Sequence, residues 1–148
     1  MELILQSQPI IPPPKILSAP LLAAGEPLSF WGGYNYHSGE IIDRRHPLSG
    51  QNATGTVLAL PFTRGSSTTT AVLLEAVRAG TAPAAILTTG IDSFFALASV
   101  VADEMYAAPI PILALSPDDF GRLHSGDWVE IHPAGTIILS TTLPPASA

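Results

Sequence analysis

The stretch Gly55-Thr56-Val57-Leu58-Ala59-Leu60-Pro61-Phe62-Thr63-Arg64-Gly65-Ser66-Ser67-Thr68-Thr69-Thr70-Ala71-Val72-Leu73-Leu74-Glu75-Ala76 decides the fold class. Val57 to Leu60 is a short apolar run after a glycine and predicts a buried strand. Pro61 lacks a backbone donor and is expected to end the ladder. From Ala71 onward Val72, Leu73, Ala76 and Val77 recur at helical spacing, and Gly80 stands where a C-cap is expected. The corner between strand and helix is Arg64-Gly65-Ser66-Ser67. Its hydroxyls can cap the helix, and the free N–H groups of the first turn form an anion site at the positive end of the helix dipole. Arg64 adds a planar, permanent charge, and Gly65 lets the backbone turn sharply or approach a ligand. Taken alone, the tetrapeptide is a weak signal and reads slightly better as a Ser/Thr-rich cap with its arginine in solvent.

Outward from the corner the same grammar repeats. Ala82 to Thr89 predicts a second buried strand, and Asp92 or Ser93 caps a second helix over about Phe94 to Met105. Pro109 to Leu115 predicts a third strand. Strand–helix–strand–helix–strand implies parallel pairing with right-handed crossovers. Upstream, Ile16 to Ala24 and Leu28 to Trp31 read as strands. Downstream, Asp118 to Gly121 reads as a turn or single helical turn. Trp128 to His132 and Thr136 to Ser140 read as an antiparallel hairpin about Pro133-Ala134-Gly135. The fold expected is α/β: a mixed sheet partly closed into a barrel, with two helices outside. Residues 1–15, with the triproline Pro12-Pro13-Pro14, read as a flexible leader, 16–141 as the domain, and 142–148 as a loose tail.

Between Tyr34 and Gly50 lies a long irregular segment with aromatic rings, charges of both signs, and His37, Asp43 and His46. It is a candidate active-site loop. Its histidines lack a second ligand at metal spacing, so no metal site is assigned.

Composition narrows the function. The chain has 148 residues, 47% apolar and only 12% charged, with net charge −6. Such poverty of charge points to a surface buried against a partner chain or fused domain. Six basic residues with no patch exclude nucleic acid as the expected partner. There is no cysteine, hence no disulfide and no thiolate-held metal. The sequence shows no signal peptide and no membrane-spanning run, so a cytoplasmic protein is expected.

Several stretches together resemble one family. They are Ser29-Phe30-Trp31-Gly32-Gly33, Gly39-Glu40-Ile41-Ile42-Asp43, His46-Pro47-Leu48-Ser49-Gly50, Arg64-Gly65-Ser66-Ser67 and Ala79-Gly80-Thr81-Ala82-Pro83-Ala84-Ala85. The family is the small subunit, or swivel domain, of aconitase X, and the likeness covers roughly residues 16–140. It implies the swivelling β/β/α fold of the aconitase C-terminal domain. It also implies a large cysteine-bearing subunit that holds an iron–sulfur cluster, so that no cofactor is bound by this chain. The pair would eliminate water from a small hydroxylated acid. Members include bacterial cis-3-hydroxy-L-proline dehydratases and archaeal phosphomevalonate dehydratases. The Phe30-Trp31 pair resembles the bacterial members more. By the same resemblance Ser66 is the catalytic base, and Arg64, Gly65 and Ser67 bind substrate. The chain departs from the family pattern at Tyr34-Asn35-Tyr36-His37, Thr63 and Thr68-Thr69-Thr70, all around the implied pocket. The competing expectations are a phosphomevalonate dehydratase small subunit and a non-catalytic anion-binding or regulatory module. A swivelling phosphohistidine carrier ranks last, because none of the four histidines follows the corner glycine.

Overall fold

The computed structural model describes residues 2–64 and 67–141, and the side chain of Ser67 lies outside that set. In chain order the strands are β1 (Glu2–Gln6), β2 (Gln8–Ile11), β3 (Leu17–Ala23), β4 (Leu28–Ser29), β5 (Tyr34–Asn35), β6 (Glu40–Ile41), β7 (Val57–Ala59), β8 (Thr63–Arg64), β9 (Ala85–Thr88), β10 (Ile112–Ala114), β11 (Trp128–Ile131) and β12 (Thr136–Ser140). The helices are α1 (Ser67–Ala79), α2 (Ser93–Tyr106) and the single turn α3 (Pro117–Phe120).

Strands β7, β9 and β10 are buried along their whole length, which is why they appear in the sequence as unbroken apolar runs. They pair in parallel, Leu58 with Ile86 and Ile86 with Ile112, and α1 and α2 fill the connections. Alternate residues serve two cores. Val57, Ala59, Ala85 and Leu87 join Leu21, Val129 and Ile137 on the inner side of the curved sheet. Leu58, Leu60 and Ile86 join Leu73, Ala76 and Phe95 beneath the helices. Phe30 ties the next loop to this outer layer: its ring stacks on Tyr34 at 5.3 Å and meets Phe95 edge-on at 5.8 Å.

The eight-stranded sheet runs β1-β12-β11-β3-β7-β9-β10-β2. Its two outermost strands are consecutive in the chain, separated by Ser7 alone. One bent segment therefore lies along both edges and brings the sheet close to a barrel. This corrects the expected flexible leader: residues 2–11 belong to the sheet. β1 pairs with β12, and β2 pairs with β10 across a register shift at which Pro9 stands opposite Leu113. A bulge is where a strand tolerates a residue without an N–H. At the bend, the Ser7 N–H and hydroxyl both donate to the Gly135 carbonyl, at 2.9 and 2.7 Å. Gly135 has φ +100°, and a Cβ there would sit 2.7 Å from the Ser7 carbonyl oxygen, so only glycine fits.

Three smaller differences follow. Pro61 ends β7, but Thr63–Arg64 then makes a two-residue parallel pair with Leu28–Ser29. The strand expected through Trp31 stops at Ser29. The irregular 34–50 segment contains the short antiparallel pair β5–β6. Residues 142–148, read as a tail, lie outside the described residues.

Candidate active site

The corner that the sequence singles out lies where β7 passes through β8 into α1. Gly65 and Ser66 are outside the described residues, as is the Ser67 side chain, while the Ser67 backbone opens α1. What flanks them is fixed from three sides. Ser29 pairs with Arg64 across the β4–β8 ladder. The Thr69 hydroxyl donates to the Arg64 carbonyl at 3.3 Å. The Thr63 N–H donates to Asp92 Oδ2 at 2.7 Å. Thr70 links the two helices, its hydroxyl donating to the Phe94 carbonyl at 3.1 Å.

Arg64 is exposed, and among the described residues no carboxylate lies within ion-pair distance of it. It lines a cleft of about 550 Å³ together with Glu26, Pro27, Asp43, Arg45 and His46. The long loop thus delivers two of its three singled-out residues to the arginine. His46 is almost fully buried, and both ring nitrogens are engaged: Leu48 N–H donates to Nδ1 at 3.1 Å, and Nε2 faces the Glu26 carbonyl at 3.2 Å. Through these two contacts the ring locks the 26–27 turn to the 43–48 loop as a wall of the cleft. Asp43 caps that loop, with Oδ1 accepting the Arg45 N–H at 3.0 Å.

His37 is elsewhere. Its neighbour Tyr36 accepts the Thr81 hydroxyl through its carbonyl, which places it just past the C-terminal end of α1. Arg64 stands before the N-terminal end. The helix has 13 residues, about 20 Å at 1.5 Å per residue. Sequence reading missed Glu26 and Arg45 as cleft residues. Arg45 was visible within the charged run Asp43-Arg44-Arg45-His46, but Glu26 looked like part of an ordinary turn.

Exposed apolar side chains flank the same corner. Trp31 is 71% exposed, Ile91 69% and Phe62 54%. Thr89 donates through N–H and hydroxyl to the Pro61 carbonyl, bringing the 89–91 loop beside Phe62. Ile42, also exposed, bonds through its N–H to the Gly33 carbonyl near Trp31. Among the described residues no group of three or more His, Cys, Asp or Glu could hold a metal ion, and no helix is long and apolar enough to cross a membrane. With no cysteine in the sequence, this donor set does not fit an iron–sulfur cluster.

Residues 5–139 match the family of the aconitase X swivel domain. The chain belongs to that family. The swivel domain is 43% identical over 128 residues to a cis-3-hydroxy-L-proline dehydratase of Pseudomonas aeruginosa, covering 86% of this chain and 22% of that protein. It is 33% identical over 131 residues to the phosphomevalonate dehydratase small subunit of Methanopyrus kandleri, covering 88% of this chain and 93% of that one. It thus spans about a fifth of the hydroxyproline dehydratase and nearly all of the archaeal small subunit. Its fold is that of Thermococcus kodakaraensis aconitase X, solved in the holo-form, with a TM-score of 0.80 at 22% identity over 93% of this chain and 98% of that one. The Pseudomonas and Methanopyrus relatives are dehydratases by name, and the term small subunit implies a larger partner.

Proposed function

We propose that this swivel domain is the small component of a cytoplasmic hydro-lyase. It closes over a large cysteine-bearing subunit that carries an iron–sulfur cluster, and together they eliminate water from cis-3-hydroxy-L-proline. The supporting observation is an arginine with no carboxylate partner among the described residues, lining a cleft beside the N-terminus of α1, in a chain 43% identical to a hydroxyproline dehydratase. In the reaction a base takes the proton from the carbon next to the carboxylate. The electron pair forms the C=C bond, and the hydroxyl leaves as water. Arg64 grips the substrate carboxylate with two parallel N–H bonds, which also stabilises charge spreading onto that carboxylate as the proton departs. Ser66 is the base. A serine reaches that role only if nearby positive charge and backbone donors hold its oxyanion, and Arg64 with the first turn of α1 is the source in this chain. Gly65 and Ser67 hold the substrate carboxylate or cap the helix. Departure of the hydroxyl is served from the partner's side of the interface.

Co-expression with the large subunit, purification of the pair and a screen of hydroxy acids tests the reading. Turnover of cis-3-hydroxy-L-proline by the pair, with none by the swivel chain alone, is expected. Dehydration of phosphomevalonate with cis-3-hydroxy-L-proline ignored would move the chain to the archaeal activity. Turnover by this chain alone would remove the two-component reading.

A further inference from the structure

A residue that only caps a helix needs one acceptor oxygen, but Asp92 uses two. Its Oδ1 accepts the Phe94 and Phe95 N–H groups at 3.0 and 3.3 Å, the ordinary N-cap of α2. Its Oδ2 accepts the Thr63 N–H at 2.7 Å, from 29 residues earlier in the chain. Thr63 immediately precedes Arg64, in a strand two residues long. So short a strand has little ladder of its own to fix its direction. The carboxylate supplies on one side what the Thr69 hydroxyl supplies on the other, where it holds the Arg64 carbonyl. A short bond from a backbone N–H to a carboxylate is of the charge-assisted kind, stronger than a neutral one.

We propose that Asp92 is a positioning residue for Arg64: through the Thr63 N–H it couples the start of α2 to the strand that aims the guanidinium into the cleft beside Asp43 and His46. The proposal rests on reading Arg64 as the group that holds the substrate carboxylate. It explains why a carboxylate occupies this cap, since asparagine or serine caps a helix as well. Asparagine keeps one acceptor oxygen for the cap and turns its NH₂ toward the Thr63 N–H, donor against donor. Serine keeps one oxygen and leaves Thr63 without a partner. Asp92→Asn and Asp92→Ser therefore separate the cap from the tether.

Both variants are made in the assembled enzyme, alone and with Arg64→Ala. With cis-3-hydroxy-L-proline as substrate, each single variant is expected to lose about tenfold in kcat/KM, the scale of one hydrogen bond to a charged group, mostly as a rise in KM. The melting temperature should fall by no more than the few degrees that one lost hydrogen bond accounts for. In the Arg64→Ala background the Asp92 variants should add no further loss, because a residue acting through another is not additive with it. Full activity in the single variants, or losses additive with Arg64→Ala, would overturn the proposal. Hydrogen exchange on the same proteins gives a readout independent of turnover. Amides of Leu60 and of residues 62–64 should lose protection while residues 94–98 at the start of α2 keep theirs. Unchanged exchange over 60–64 would overturn the tether even if the enzyme acts on a different acid, so the two readings fail separately.

Discussion

Arg64 faces the cleft with no carboxylate partner among the described residues, which is what a residue waiting for a carboxylate ligand requires. Arg64→Lys keeps the charge and loses the fork, so KM should rise while kcat changes little. The two serines that follow at positions 66 and 67 are expected to separate by role. Ser66→Ala in the reconstituted enzyme should lower kcat by about 10²–10⁴-fold, the range for removing a proton-transfer group, with folding and partner binding intact. Ser67→Ala removes a cap or a carboxylate contact worth about 1 kcal/mol, so its loss should be near tenfold or less. The opposite order would move the base by one residue, and full turnover by both variants would reduce the corner to a helix cap. Tyr34 offers a test free of any assumption about function. Its buried phenol donates to the Thr81 carbonyl at 2.7 Å, and burial pushes its pKa well above the ordinary value. Above about pH 10 the folded protein keeps a proton that the unfolded chain gives up. Stability is therefore fully present below that pH and falls above it, by at most about 1.4 kcal/mol per pH unit. Tyr34→Phe should cost about 1 kcal/mol at neutral pH and show a shallower alkaline decline in urea titrations. Parallel declines would clear Tyr34 of that role.

Elements whose cause is local were legible in the sequence. The runs Val57–Leu60 and Ala85–Leu87 are apolar because both faces are buried, and the Asp92 cap and the α1 periodicity are read within a single turn. The face of α1 is as expected at Val72, Leu73 and Ala76, with Val77 at its half-buried margin. Leu73→Ala should thus cost about 2–5 kcal/mol, whereas Val77→Ala should cost about 1 kcal/mol, in proportion to the apolar area each hides. Equal midpoint shifts in urea would show that the helix is rotated from this placement. Elements whose cause is distant were not legible. Glu2–Gln6 has no strong alternation of its own and becomes a strand because Thr136–Ser140, some 130 residues later, offers a ladder. β4, β5, β6 and β8 have two residues each, too few to carry a period. The cleft was half legible for the same reason. Arg64, Asp43 and His46 stand out by residue type, but only the fold shows that His46 is a wall and that His37 lies beyond the far end of α1.

At the scale of the molecule, the barrel closure and the sparse charge belong together. With residues 2–11 along both sheet edges, the core satisfies itself, so the exposed Trp31, Phe62 and Ile91 are not needed to hold the fold. Large apolar side chains left in water around an incomplete site are the expected signature of a surface that another protein covers. Trp31 is the strongest test of that expectation. A tryptophan 71% exposed contributes little to folding, yet tryptophan is enriched among the residues that dominate interface energies, at about 2 kcal/mol or more on truncation. Trp31→Ala should therefore leave the melting temperature of the swivel chain unchanged and weaken binding to the large subunit by about thirtyfold or more, since each 1.4 kcal/mol is a factor of about ten. Calorimetric titration of the two purified components reads that ratio directly. The same variant, given enough large subunit to saturate it, should recover wild-type kcat, which is the result required of a residue that acts on assembly alone. Unchanged affinity would place the interface on another face, and a kcat that stays low at saturation would place Trp31 in the substrate cleft itself.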